Sequence, residues 1–181
     1  MAANLDLVLA ELKQRVGQLL LRCAARGFEM RPSAGLRDPF EQARLWRQSR
    51  SIEEINAKIQ EFAVGGAEFL AHCVDSVGPQ HGDPVTNAPP GYSWHQWGEA
   101  VDCFWLLNGK AEWSTTKKID GLNAYKVYAD EAEKLGLVAG GHWTSLKDWP
   151  HVQLRPDASP ARTLSLAQVN AAMRDRFGNW D

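Results

Sequence analysis

The sequence predicts an α+β fold, with a small central antiparallel sheet flanked by helices. Helical patterns fill the first part of the chain and return at its end, whereas short β-rich segments bounded by turn residues lie between them. The 181 residues suit one compact domain, and no internal repeat, low-complexity tract or linker divides them. We therefore expect a single domain over residues 1–181.

Apolar residues recur at helical spacing from Leu5 to Cys23, which predicts an amphipathic helix that ends near Gly27. Further helices are predicted where capping signals stand in the sequence. They begin after Asp38 and after Ser51, run from Asn123 to Leu135, and run from Ser165 to about Phe177. The Gly65-Gly66 pair separates the helix after Ser51 from another that reaches about Asp75.

Strand signals are shorter and occur at residues 28–32, 101–107, 137–139 and 151–154. The second of these ends at Asn108-Gly109, a pair typical of a β-hairpin turn. Residues 78–92 contain four Pro and three Gly, so we expect a long loop there.

Composition narrows the class of function. A formal net charge of -2 gives no reason to expect nucleic acid or an anionic membrane as a partner. The N-terminal residues lack a basic stretch followed by a continuous apolar run, so we expect synthesis in the cytoplasm without a signal peptide. The scattered cysteines predict buried free thiols rather than a disulfide framework. They are Cys23, Cys73 and Cys103. We expect a monomer.

Candidate zinc ligands follow the long loop, in the segment Ser93-Trp-His-Gln-Trp-Gly-Glu-Ala-Val-Asp102. His95 offers an imidazole nitrogen and Asp102 offers a carboxylate, and both groups are good ligands for zinc. At this spacing the two side chains would face opposite sides of one regular strand. We therefore expect Gly98 to permit a bend that brings them together.

A second segment, Asp148-Trp-Pro-His151, offers another carboxylate and another imidazole three residues apart. Two His and one Asp would leave a fourth position for water, as a catalytic zinc requires. Asp148 would then stand beside that water and accept its proton. A single His or Asp in a loop is more often structural, so the prediction depends on the two segments together.

Both segments match a family. The pattern SxHxxGxAxD resembles the signature of the zinc D-alanyl-D-alanine carboxypeptidase family, which belongs to a larger group with lysostaphin-type enzymes and the hedgehog signalling domain. Gly140-Gly-His-Trp143 followed by Asp148-Trp-Pro-His151 resembles the second signature of its L-alanyl-D-glutamate endopeptidase branch, known from bacteriophage endolysins. Carboxypeptidase and dipeptidase branches usually carry Glu-x-x-His there. Residues 35–42 resemble the family's Arg motif with its following Gln, and residues 85–88 match the approach to the first His.

The resemblance covers about residues 32–154 and implies a hedgehog/DD-peptidase-like fold with a central antiparallel sheet. It implies that zinc is the cofactor, and that its ligands are His95, Asp102 and His151. Asp148 is the implied general base. These assignments agree with the donor chemistry of the two segments.

The same resemblance implies roles for three residues outside the metal set. Arg37 would polarise the scissile carbonyl or stabilise the oxyanion, which suits its fixed charge and its fork of donors. Ser93 would orient the substrate or a ligand through its hydroxyl. Gln42, which follows Arg37 in the upstream motif, is the second candidate for substrate binding.

The implied function is hydrolysis of peptidoglycan stem peptides, in first place as an endolysin-like L-alanyl-D-glutamate endopeptidase. The alternatives are a D-Ala-D-Ala carboxypeptidase or dipeptidase, and a non-catalytic zinc-containing module that binds the cell wall. The presence of both Asp148 and Arg37 favours an enzyme, because a structural zinc site needs neither. We expect the protein to act on the cell wall or in the periplasm after release from the cytoplasm.

Two features depart from the family pattern. The stretch from about Ser51 to Gly78 is longer than the usual connection, and we interpret it as an added helical decoration rather than a lid. His142 stands where the endolysin branch often has an acidic or amide residue. It could contact substrate or compete as a ligand, but its spacing to His151 fits no short metal motif, so we favour a structural role.

Overall fold

The computed structural model describes residues 3–79, 81–144 and 146–178. Contacts among these residues define two compact units. The first, here called the sheet unit, consists of the residues up to Leu36 together with Gly98–Pro156. The second, here called the helical unit, consists of Arg37–Trp97 together with the residues from Asp157 onward. The single domain expected from the sequence stays a prediction.

The elements follow one another in the order expected for an α+β protein. The helices are α1 (Ala10–Ala25), α2 (Pro39–Arg47), α3 (Ile52–Val64), α4 (Glu68–Ser76), α5 (Trp94–Trp97), α6 (Ala124–Glu133) and α7 (Leu166–Phe177). The strands are β1 (Met30–Ala34), β2 (Ala100–Leu107), β3 (Lys110–Glu112), β4 (Val138–Ala139) and β5 (His151–Gln153). Short 3-10 turns occupy Leu5–Leu7, Gly140–His142 and Pro160–Arg162.

The sheet unit is built on a five-stranded antiparallel sheet with the order β1-β2-β5-β4, and β3 pairs with β2. Helices α1 and α6 pack against each other, and their apolar faces share one core with the inward side chains of the strands. This core includes fully buried Leu12, Leu19, Tyr125 and Tyr128. The predicted α+β class with a small antiparallel sheet is therefore confirmed.

Side chains alternate along β2, so that only one face of the strand lies in the core. Val101, Cys103 and Trp105 are buried, whereas Asp102 and Phe104 between them are half-buried and point to the opposite face. The free, buried Cys103 belongs to the core, as do the other cysteines of the chain in their own surroundings. The prediction of buried free thiols is confirmed.

The helical unit has a separate apolar core, formed by α2, α3, α4 and α7. The stretch from Ser51 to Gly78 forms α3 and α4, and it contributes the fully buried Phe62 and Leu70 to this core. Its first helix carries the capping box of Ser51 and Glu54, in which each side chain bonds the other residue's backbone. Residues 51–78 are therefore a packed part of the unit.

Local signals located most elements to within a few residues. Asp38 caps α2 through the amide of Glu41, and Asn123 and Ser165 cap α6 and α7. The hairpin at Asn108-Gly109 is present, and residues 78–92 contain neither helix nor strand among the residues described. Within the described residues, none of the helices is long and apolar enough to span a membrane.

Candidate metal centre and active site

The first segment with candidate ligands is a helical turn followed by a strand. The turn α5 carries His95, which is buried at 3% exposure, and Ser93 accepts a hydrogen bond from the His95 amide (3.4 Å). This turn was not predicted from the sequence, because four residues are too short to show a helical pattern. Gly98 ends the turn with a φ of +72°, and β2 then leads to Asp102. The bend expected at Gly98 is confirmed.

The second ligand segment places His151 beside Asp102. In the antiparallel pairing of β2 with β5 these two residues lie directly opposite each other. Because residues opposite one another share a face of the sheet, their side chains meet, and Nδ1 of His151 lies 3.0 Å from Oδ1 of Asp102. The sheet register therefore brings together two donors that are far apart in sequence.

Gln153 fixes the other side of the His151 ring, and the sequence analysis missed it. Its Nε2 donates to the carbonyl of Arg155 (2.6 Å), so its Oε1 is left to accept from Nε2 of His151 (2.9 Å). That bond directs the Nδ1 lone pair of the neutral imidazole toward the Asp102 side, a common arrangement behind metal-binding histidines. The available signal was period-two spacing, since residues 151 and 153 share a face of β5.

The ionisation of His151 reflects these partners. Burial by itself would lower the pKa of the imidazole, but the hydrogen bond and charge of Asp102, the charge of Asp148 and the bond to Gln153 outweigh it. The net result is a pKa raised above the ordinary value of 6.5. The protonated, cationic form of the imidazole is thus favoured, as expected for a histidine close to carboxylates.

Asp148 is held in the turn that precedes β5. Its amide donates to the carbonyl of Gly140 (3.0 Å), and its own carbonyl accepts from the amide of His151 (3.2 Å). Gly140 has no room for a side chain, because a Cβ there would lie 2.4 Å from the Asp148 carbonyl oxygen and 3.1 Å from the His151 Cβ. The absence of a side chain at Gly140 therefore allows the chain to approach both Asp148 and His151 closely.

Arg37 and Gln42 are linked within the helical unit. The Arg37 amide donates to the carbonyl of His95 (3.3 Å), and its guanidinium donates to Oε1 of Gln42 (3.0 Å). Gln42 is fully buried, and its Nε2 donates to the carbonyl of Ala88 (2.7 Å). Both ends of the Gln42 amide are thus engaged within the protein, which supports a role in orienting Arg37. Its predicted contact with substrate stays a prediction, as does that of Ser93.

His95, Asp102 and His151 form a group that could hold a metal ion. Each offers one ligand atom, and these atoms lie within 4.8 Å of one another. Two imidazole nitrogens and one carboxylate oxygen are donors that zinc accepts, and three protein ligands leave a position for water or substrate. The donor chemistry therefore fits zinc. These are the three residues that the sequence analysis selected, and their role as ligands stays a prediction.

His142 lies outside this group. Its Nδ1 is 2.7 Å from a carboxylate oxygen of Glu133, and its Nε2 is 3.3 Å from one of Asp130. Both ring nitrogens thus face carboxylates at the end of α6, which agrees with the structural role favoured from the sequence. The neighbouring Trp143 instead packs its ring against His151, with 5.2 Å between the centroids.

A protein-family model described as VanY, D-alanyl-D-alanine carboxypeptidase, matches residues 6–143 of the chain. The match covers more than half of the sequence. The chain belongs to this family. The matched residues include Arg37, His95 and Asp102, whereas Asp148 and His151 follow them in the chain.

Similar proteins carry two activities in their names. A peptidoglycan L-alanyl-D-glutamate endopeptidase, CwlK of Bacillus subtilis, is 24% identical over an alignment of 160 residues that covers 80% of this chain and 72% of the relative. Among solved structures, the Serratia marcescens L-Ala D-Glu endopeptidase ChiX is 21% identical, with a TM-score of 0.43 and 84% of each chain covered. A zinc complex of the D,D-pentapeptidase VanY is 17% identical, with a TM-score of 0.46. The match covers 81% of this chain and 71% of that chain.

Proposed function

We propose that this protein is a zinc-dependent peptidase that cleaves the L-alanyl-D-glutamate bond of peptidoglycan stem peptides. The observation that carries the proposal is the convergence of His95, Asp102 and His151, together with Asp148, whose charge raises the pKa of His151. Membership in a family of peptidoglycan peptidases supports the substrate class. A bound zinc ion would supply Lewis-acid activation of water and of the scissile carbonyl.

Asp148 is assigned the proton transfers. It accepts a proton from the attacking water as the new C–O bond forms at the scissile carbonyl carbon. When the C–N bond breaks, it passes that proton to the departing amine, so the products are a carboxylate and a free amino group. The two hydrogen bonds of its backbone, to Gly140 and from His151, keep its position relative to β5.

Arg37 is assigned to the negative charge that develops on the carbonyl oxygen. The hydrogen bond from the Arg37 amide to the His95 carbonyl connects Arg37 to a proposed ligand, and the hydrogen bond to Gln42 orients the guanidinium. A fixed cation with several donors stabilises an oxyanion more than it stabilises the neutral carbonyl, which lowers the barrier. Gln42 acts through Arg37 and is therefore a positioning residue.

Two observations support endopeptidase activity in particular. The second motif reads Asp-x-x-His, the form that resembles the L-alanyl-D-glutamate endopeptidase branch. The Bacillus subtilis relative, which aligns over 80% of this chain, is named for that activity. Action on the wall after release from the cytoplasm, as a monomer, belongs to the same proposal.

A D-Ala-D-Ala carboxypeptidase is the second candidate, because the matching family model carries that description. Defined muropeptides separate the two activities. We expect mass spectrometry to show a fragment that begins with D-Glu, which forms only if the L-Ala–D-Glu bond is cut. Release of terminal D-Ala alone would instead assign the carboxypeptidase. A chelator should abolish the cleavage and added zinc should restore it.

The same assay tests the non-catalytic alternative. A wall-binding module would retain peptidoglycan in a pull-down without changing the mass of any muropeptide. Absence of every cleavage product from a zinc-loaded, folded preparation would therefore overturn the proposed function.

A further inference from the structure

An aromatic pair lies on the same strand face as Asp102. Phe104 follows Asp102 by two residues on β2, and both side chains point away from the buried core. The ring of Trp113, just after β3, lies against Phe104 with centroids 5.8 Å apart and planes inclined by 40°. Within the described part of the chain, Trp113 is the one aromatic residue among the exposed large hydrophobic side chains, at 54% exposure.

The backbone on either side of Trp113 is held in place. The carbonyl of Glu112 accepts a hydrogen bond from the hydroxyl of Tyr125 (2.8 Å), and its carboxylate accepts from the amide of Ser114 (3.0 Å). The side chain of Asn123 donates to the carbonyl of Ser114 (3.0 Å). These bonds anchor the backbone beneath Trp113 to the N-terminal part of α6, so its indole is presented from a fixed base.

A fixed, half-exposed indole beside a second ring is suited to a pyranose sugar. One face of such a ring is lined by C–H groups, which pack on an aromatic surface, while the sugar hydroxyls remain in water. The pair also lies next to the proposed active site, because Phe104 and the proposed ligand Asp102 are on the same face of β2, about 7 Å apart. A glycan strand bearing a stem peptide brings sugars near the bond to be cut.

We propose that Phe104 and Trp113 form a saccharide subsite, in which Trp113 stacks on a pyranose ring of the peptidoglycan glycan strand. The subsite rests on the proposed function for its substrate. It would add affinity for glycan-linked stem peptides and would leave sugar-free stem peptides unaffected.

The test compares two substrates that share one stem peptide, one free and one attached to the N-acetylglucosaminyl-N-acetylmuramyl disaccharide. For Trp113→Ala we expect kcat/KM to fall about three- to tenfold on the disaccharide substrate and to stay unchanged on the free peptide. Trp113→Tyr should restore most of the loss, because it keeps an aromatic face. Leu21→Ala is the matched control, since Leu21 is also an exposed apolar residue of the sheet unit.

A peptide-free disaccharide tests the subsite without any hydrolysis. Its addition should shift the indole N–H resonance of Trp113 in NMR spectra, and that resonance is assigned by its loss in Trp113→Tyr. A shift without stem-peptide cleavage would support the subsite and contradict the proposed function. Equal losses on both substrates, no loss on either, or a change of oligomeric state in Trp113→Ala would overturn the subsite.

Discussion

The two units hold their site residues by different means. In the sheet unit, Asp102 and His151 meet because β2 and β5 pair in one register, and Gln153 on the same strand fixes the ring. In the helical unit, the contacts of His95 and Arg37 include the bond from the His95 amide to Ser93, the bond from Arg37 to Gln42, and the bond from the Arg37 amide to the His95 carbonyl. Site geometry comes from a sheet ladder in one unit and from individual polar contacts in the other.

Because the two kinds of support differ, substitutions in the two units should have different consequences. Paired strands are held in place by several backbone hydrogen bonds. A substitution of one side chain in the sheet should therefore remove the function of that side chain without displacing its neighbours. A contact between two side chains, such as the Arg37–Gln42 bond, depends on both partners, so a changed side chain can displace its neighbour.

Asp148→Asn should give the largest loss of turnover. Asparagine keeps nearly the same shape but cannot accept a proton at neutral pH, so we expect a decrease in kcat of about 10²–10⁴-fold. Because Asp148 lies outside the group of three metal donors, zinc content and melting temperature should stay those of the wild type. All three quantities can be measured on one preparation.

The alternatives for Asp148 give other patterns. A ligand role would lower zinc content along with activity, and a structural role would lower the melting temperature first. Full lytic activity in Asp148→Asn would remove the residue from the mechanism, and with it a main reason for preferring an enzyme over a binding module.

Arg37→Ala should lower kcat by about 10²–10³-fold, because one stabilising group for the oxyanion is lost. Zinc content should not change, since the guanidinium is not a metal donor. Arg37→Lys should recover only part of the activity, because an ammonium lacks the planar fork that bonds Gln42. Unchanged steady-state kinetics in a folded Arg37→Ala protein would exclude Arg37 from the site.

Gln153→Leu should weaken zinc binding by about 10–100-fold, the usual cost of losing an outer partner of a metal-binding histidine. The substitution removes the acceptor that orients the His151 ring. Gln153→Glu keeps an acceptor oxygen and should bind zinc much more tightly than the Leu variant. Competition with a metal-sensitive dye measures both dissociation constants, and equal values for the two variants would contradict the orienting role.

Zinc affinity should also depend on pH. As a proposed ligand, His151 must be neutral to bind the metal, and its pKa in the metal-free protein is raised above 6.5. Protons therefore begin to compete with zinc above pH 6.5, and affinity should decrease steadily as the pH falls through that raised pKa. A zinc titration repeated between about pH 8 and 5 checks this, and a constant affinity over the range would contradict it.

Leu9→Pro should have the smallest effect and tests the bend between the first two proposed ligands. The amide of Leu9 donates to the carbonyl of Gly98 (2.9 Å), and the φ values of Leu9 (-58°) and Val8 (-87°) tolerate a proline. The variant therefore removes one hydrogen bond at the bend. We expect zinc affinity to fall by up to about tenfold, the equivalent of one backbone bond.

Leu9→Ala is the control, because it shortens the side chain and keeps the amide. A fall in affinity common to both variants would assign the effect to packing of the half-exposed Leu9 side chain. Equal affinity in Leu9→Pro and the wild type would show that the bend at Gly98 holds without this bond.

Local sequence patterns predicted most of the helices and strands and selected the candidate site residues. Some signals act only on residues next to them in sequence, and a short stretch of sequence is therefore enough to predict their effect. Examples are the capping residues Asp38 and Ser165 and the Asn108-Gly109 turn. The donors His95, Asp102 and His151 were selected by residue type and motif spacing. The need for a bend at Gly98 followed from the same spacing.

How these groups are held depends on contacts between residues that are distant in sequence. Packing and strand register produce three features that the sequence did not predict. These are the burial of Gln42, the bond that Gln153 accepts from His151, and the contact of Phe104 with Trp113. The short turn that carries His95 also escaped prediction, because a single turn is stabilised by its surroundings rather than by its own sequence. Local pattern specifies which groups are available, whereas register and packing set their distances.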